Sequence, residues 1–211
     1  MYNRDYLTDQ SSQYSQESSQ AYMMSFLKAT YQLFAGSLLA ATAGSYIGLG
    51  MVNILMGPMK WVLFAVEIAL IWFVIPRVKH TPGVNLAVLF AFTFITGLTI
   101  APLLSSIFAM ADGAAIVGQA FLMTSVAFGA ISMFAMTTKR DFSSMGKFLF
   151  IALIIMIVAG ISNIFIQSSM MQLMIASAGA LIFSAFILYD TQNIIKGNYD
   201  SPVEAALSLY L

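Results

Sequence analysis

Apolar blocks of about 20 residues recur along this chain between short polar punctuations, and that repeat leaves few folds open. A helix of about 20 residues is about 30 Å long, the thickness of the hydrocarbon core of a bilayer. Inside lipid every backbone N–H and C=O needs an internal partner, so blocks of this length are satisfied as helices. The blocks lie at 22–49, 58–76, 84–110, 114–136, 147–167 and 171–195, with a last apolar start at 203–211. The pattern predicts an all-α membrane protein with six complete spans and an incomplete seventh, since a span needs about 20 residues. Charged residues are only 9% of the chain and apolar ones 60%, so lipid must solvate most of the surface. Turn chemistry fills the gaps at Gly57-Pro58, Thr81-Pro82-Gly83, Asp112-Gly113, Asp141 to Ser144 and Gly197 to Pro202.

Residues 1–20 are rich in Ser, Gln, Tyr and Asp without apolar periodicity, and read as a flexible polar tail ahead of one integral helical domain at 21–211. The tail and the even-numbered loops hold Arg4, Lys28, Arg77, Lys79, Lys139, Arg140, Lys147 and Lys196, against Lys60 alone on the other side. Basic residues near span ends are retained in the cytoplasm, which predicts a cytoplasmic N-terminus. Formal charge is zero and no basic run is long enough to track phosphates, so nucleic acid is not an expected partner. Cysteine is absent, which removes disulfides, thiolate metal sites and a cysteine nucleophile. Small residues at close-packing spacing, Gly36 with Ala40 and Gly44, and Ala176 with Gly179, Ala180 and Ser184, read as helix–helix seams.

Only two ionisable residues fall inside the predicted spans away from their ends, Glu67 and Asp190. An acid there costs about 2.5–3.5 kcal/mol on insertion scales, which makes each a functional hypothesis. Asp190 lies about 8 Å from the cytoplasmic end of the sixth span, within reach of water or of Arg77 snorkelling from the end of the second. Either it senses protons against Arg77, or it is simply satisfied by backbone or by Asn193 one turn away. Glu67 falls near the midplane, where a carboxyl favours its neutral, hydrogen-bond-donating form; a proton or cation role is one reading of it. Thr93, Thr96 and Thr99 on the third span, and Thr124, Ser125 and Ser132 on the fourth, form polar stripes that either line a wet interior or bond back to their own helices. Pro102 interrupts the third span right after Thr99 and frees a carbonyl, which favours a pathway there. His80, the only histidine, is in a loop, and no G-x-S-x-G or H-E-x-x-H occurs, so the common hydrolase and zinc chemistries, and enzyme function generally, lack their residues. Tyr189-Asp190 has the look of half an aspartyl intramembrane protease, but no second intramembrane aspartate is present to share its proton.

Several blocks, in order, resemble the Bax inhibitor family in its bacterial branch. They are Thr96-Gly97-Leu98-Thr99-Ile100-Ala101-Pro102-Leu103-Leu104, Thr138-Lys139-Arg140-Asp141-Phe142-Ser143 with Gly146-Lys147-Phe148-Leu149, Gly160-Ile161-Ser162-Asn163-Ile164-Phe165, Phe186-Ile187-Leu188-Tyr189-Asp190-Thr191, and Ala205-Ala206-Leu207-Ser208-Leu209-Tyr210-Leu211. The resemblance runs from about residue 21 to the end. It implies a seven-helix bundle with a central helix wrapped by the others, and a pH-sensitive calcium leak in a bacterial inner membrane with no cofactor beyond the transported ion. In that family an aspartate of the sixth helix shares a proton with one of the seventh, and a basic residue of the second latches the closed state. Asp190 matches the first by motif and Arg77 approximately matches the latch, while the second aspartate is expected immediately after Leu211, where the chain stops as if truncated. A single carboxylate, Asp190, would leave most of the several hard oxygens that calcium prefers to carbonyls and water. The family also permits a second reading, a non-transporting regulator that binds another membrane protein such as a quality-control protease.

Overall fold

The computed structural model describes residues 3–211, with side chains from residue 17 onward. Seven helices follow one another: α1 Asn3–Leu49, α2 Val52–Val78, α3 Val84–Phe108, α4 Gly113–Thr137, α5 Gly146–Ile166, α6 Ser169–Ile195 and α7 Pro202–Tyr210. No strand occurs among the described residues. Five helices, α2 to α6, are long and apolar enough to cross a membrane. The apolar part of α1 interleaves Ser25, Thr30, Gln32, Ser37, Thr42 and Ser45 with its apolar residues, which dilutes its hydropathy below that of the five. Large side chains such as Trp72, Phe121, Phe165 and Leu181 stand exposed along these helices, as a lipid-facing surface requires.

Two features of the structure stand beside the sequence reading. Of residues 1–20, read as a flexible polar tail, 3–20 are the first turns of α1, and 1–2 lie outside the described residues. The chain carries neither Gly nor Pro before Gly36, and once a packed segment has nucleated a helix, adding residues to its end is easy. The chain, read as one integral domain over 21–211, packs as two compact units, residues 1–110 with 199–211, and residues 111–198. Apolar blocks look alike in sequence, and periodicity does not say which helix packs on which.

In the first unit α1 packs along α3, and α7 returns to α1 and α3. Between apolar helices in lipid the driving force is close packing rather than water exclusion, so small residues decide where backbones meet. A Cβ on Gly44 would fall 2.1 Å from the Phe94 carbonyl oxygen, and one on Gly97 would fall 2.0 Å from that of Ala41. Leu89 and Phe92 of α3 join Ala206 and Leu207 of α7 in a buried cluster. Ser201 starts α7 by accepting the Glu204 amide on its hydroxyl at 3.2 Å, with Pro202 in the first turn. Helix α2 is irregular. Gly57, next to Pro58, leaves helical geometry at ψ −152°, and wide π-type turns occupy Leu55–Met59 and Leu70–Val74.

In the second unit α6 packs on both α4 and α5. Gly179 of α6 takes the Met156 sulfur of α5 at 3.1 Å from where a Cβ would be. Of the seam expected on this helix only Gly179 is buried; Ala176 and Ala180 are exposed. At the other end of the pair, Gly146 makes room for the Tyr189 ring. Gln167, at φ 54°, turns α5 into α6, and Ser168 caps the new helix by accepting the Met171 amide at 3.3 Å.

Candidate functional site

Apolar helices bury apolar faces, so a polar run that is buried marks a place where structure or function demanded it. The last turns of α6 carry such a run. Asp190, Thr191, Gln192 and Asn193 are 7%, 0%, 5% and 6% exposed, and Ile194 is fully buried. Successive helical residues are about 100° apart, so five in a row cover the whole circumference and the helix is enclosed on every side. Gln192 uses both ends of its amide: its oxygen accepts the Phe142 amide at 2.6 Å and its nitrogen donates to the Arg140 carbonyl at 2.8 Å. Asn193 donates from its side chain to the Tyr189 carbonyl at 3.0 Å, and its Oδ1 accepts from the Asn198 side-chain Nδ2 at 2.7 Å. Among the described residues the hydroxyls of Thr191 and Ser132 are buried with no hydrogen-bond partner. A buried hydroxyl in this condition calls for water. Thr124 and Ser125, from the same predicted stripe as Ser132, are exposed.

The first unit holds the other acid. Thr99 of α3 places its hydroxyl 2.7 Å from Glu67 Oε1 and 3.1 Å from the Ile95 carbonyl. One hydroxyl carries one proton. With Glu67 ionised Thr99 donates to it; with Glu67 protonated the carboxyl donates and Thr99 turns to Ile95. One turn away Thr96 bonds the Thr93 carbonyl at 2.7 Å and the hydroxyl of Tyr210 on α7. The Tyr210 ring stands edge-on to Phe92 at 6.0 Å. The threonine stripe of α3 thus receives Glu67 from α2 at one step and Tyr210 from α7 at another. Pro102 does not interrupt α3, contrary to expectation; the helix runs through it to Phe108. What the proline removes is one donor, leaving the carbonyl four residues earlier without its helical bond.

Arg77, in the last turn of α2, is exposed and donates from Nη1 to the Phe73 carbonyl at 2.6 Å, with its guanidinium 6.0 Å from the Phe73 ring. A cation suits a helix C-terminus. It belongs to the first unit and Asp190 to the second. Nearby, Lys79 lies 3.7 Å from Glu204 and 4.0 Å from Asp200, tying the end of α2 to the start of α7. Among the described residues no three His, Asp or Glu side chains gather as a metal site.

These blocks are not isolated coincidences along the chain. A family model described as inhibitor of apoptosis-promoting Bax1 matches residues 23–211. The chain belongs to the Bax inhibitor family. An uncharacterised protein of Campylobacter jejuni is 48% identical over 214 residues, covering 100% of this chain and 91% of its own length. An uncharacterised membrane protein of Vibrio cholerae is 36% identical, over 88% of this chain and 82% of its own. Mouse protein lifeguard 4 is 33% identical, over 89% and 79%.

Three contributors in this Bax inhibitor family chain were not singled out from sequence: Gln192, Tyr210 and the pair Asp141–Lys196. Gln192 could have been noticed as part of an uninterrupted polar run, Asp190 to Asn193, closing an apolar helix. Asp141 Oδ1 receives Lys196 at 2.5 Å, the Ser143 hydroxyl at 2.7 Å and the Ser143 amide at 2.9 Å. Led by the Lys196 bond, and then by those of Ser143, these hold its carboxyl down from the usual 3.8 to about 2. A depressed carboxyl contributes stability that is fully present above its unfolded value and is lost as pH falls through the folded one. The carbon-13 shift of the Asp141 carboxyl is therefore expected to titrate near 2, and Lys196→Ala is expected to move that midpoint up toward the ordinary value. A midpoint near 3.8 in the unaltered protein contradicts the bonding described.

Proposed function

We propose that this protein is a pH-sensitive calcium leak of a bacterial inner membrane, gated by protonation of Asp190, with Arg77 as its closed-state partner. In this reading α1 to α6 cross the bilayer from a cytoplasmic N-terminus and α7 begins a further crossing. The observation that carries it is the setting of Asp190, a carboxyl enclosed on every side near the end of a span-length helix and next to a buried hydroxyl that lacks a protein partner. An acid in that position responds to pH through a change of charge that its surroundings feel strongly. If the ion pair holds the closed state, protonation of Asp190 removes one partner and shifts the population toward open. Calcium prefers six to eight oxygens. A lone carboxylate helped by carbonyls and water binds it weakly enough to let it go, as conduction requires. Within the first unit, Glu67 with Thr99 and Thr96 forms a second group of oxygens, on the helix that carries Pro102, with a proton or cation role of its own in this reading.

The test is calcium flux from liposomes as a function of pH. The unaltered protein is expected to leak more as pH falls, and Asp190→Asn, which mimics the protonated group without titrating, is expected to leak at a pH-independent rate. An Asp190→Asn variant that keeps the full pH dependence sinks the gating role.

A further inference from the structure

We propose that the α4–α5 loop forms a binding site for the phosphodiester headgroup of an anionic phospholipid. The inference is independent of the calcium reading and concerns the second unit alone.

The loop leaves α4 at Thr137 and enters α5 at Gly146, and it sits against the end of α6 at Ile195. All three are ends of span-length apolar helices, so the loop lies where hydrocarbon gives way to headgroups. There it borders an open cavity of about 180 Å³ lined by Lys139, Arg140, Asp141, Gln192 and Lys196. Met136 and Ile195 form an apolar floor.

The wall carries three cations and one anion, and the anion is already spent. Asp141 is held by Lys196 and Ser143, and with its carboxyl near 2 this charge balance is constant across physiological pH. Lys139 and Arg140 are exposed, and among the described residues neither side chain enters an ion pair or a hydrogen bond. Two uncommitted cations thus face one cavity. Their backbone is fixed: buried Gln192 clamps the loop from both sides, at the Arg140 carbonyl and at the Phe142 amide. Ordering the loop before a ligand arrives reduces the entropy lost on binding. Arginine presents a fork that matches phosphate oxygens, and lysine a compact charge.

The floor selects the source of the phosphate. A free inorganic ion gains nothing from Met136 and Ile195, whereas a phospholipid lays its glycerol and the start of its chains on apolar surface. That surface continues down α4, where Met133 and Met136 are exposed.

The experiment titrates the detergent-solubilised protein with dioctanoyl phosphatidylglycerol and dioctanoyl phosphatidylcholine, reading bound lipid by native mass spectrometry. Phosphatidylglycerol is expected to bind at least tenfold more tightly. Each juxtamembrane cation contributes about fivefold to affinity for anionic lipid, so Lys139→Gln with Arg140→Gln is expected to weaken binding about 25-fold. Lys147→Gln removes an equal charge at the second residue of α5, outside the cavity, and is expected to change binding less than about twofold. The exchange Lys139→Arg with Arg140→Lys, which keeps both charges, is expected to retain binding and controls for folding. Equal affinity for the two lipids, or a Lys147→Gln loss as large as that of the double variant, overturns the site. Displacement of phosphatidylglycerol by inorganic phosphate at comparable concentration overturns the lipid assignment in favour of a plain anion site.

Discussion

Valine in place of Gly97 is expected to cost the protein more than about 3 kcal/mol, and so to abolish most folded material in detergent. Overpacked cores usually lose about 1–3 kcal/mol because side chains can rotate aside. Here nothing can rotate: the first added carbon would fall 2.0 Å from the Ala41 carbonyl oxygen and 2.9 Å from the Ser45 amide nitrogen, both backbone atoms of α1. Relief requires moving α1 bodily away from α3. That movement would also loosen Gly44 against Phe94 and Gly48 against Ala101. The control is Gly129→Ala on α4, where an added Cβ meets nothing within 4 Å. An exposed helical glycine replaced by alanine is expected to be neutral or to stabilise by up to about 1 kcal/mol. Thermal unfolding of both variants, followed by circular dichroism, decides the matter; a Gly97→Val protein that melts where the unaltered one does would refute the close contact.

The same contrast explains which parts of the structure were legible in the sequence. From α3 onward every predicted end falls within two residues of the observed one, because the helices are delimited by Gly, Pro and Asp, whose local chemistry acts without tertiary help. The start of α1 was not legible. A stretch of Ser, Gln and Tyr without Gly or Pro is compatible with coil or helix, and the outcome is set by the packed segment that follows it. Pro102 misled for a related reason: the lost bond is local, but whether the helix ends there depends on its neighbours, and α3 is held by α1 and α7. Glu67 and Thr99 were each visible as polar residues in apolar spans, yet their 2.7 Å bond joins positions 32 residues apart. A single sequence carries no signal for such a pairing. Tyr210 was hidden more completely, since a tyrosine near the end of an apolar run reads as an interfacial anchor, and only the fold brings it to Thr96.

Gln192 illustrates the second large effect, because a residue passed over in sequence turns out to fasten a loop. Gln192→Leu is expected to destabilise the second unit by about 3 kcal/mol, since two hydrogen bonds vanish and their partners, the Arg140 carbonyl and the half-buried Phe142 amide, lose a directed mate. Leucine has a similar volume, so packing changes little and the loss reports the polar clamp. Gln192→Glu separates the two halves. A carboxylate still accepts from Phe142, but it sets an oxygen where the amide donated, facing the Arg140 carbonyl at a separation of 2.8 Å in the unaltered protein. The glutamate variant is therefore expected to keep hydrogen-exchange protection at the Phe142 amide while releasing residue 140, and the leucine variant to lose both. Protection at Phe142 unchanged in Gln192→Leu would show that the loop is held by something other than this side chain. With the clamp gone, Lys139 and Arg140 are no longer presented together, so phosphatidylglycerol binding should weaken although no charge has been altered. A mobile loop with the same cations would bind anionic lipid by charge alone; a drop in affinity with constant charge is what distinguishes a built site from a basic surface.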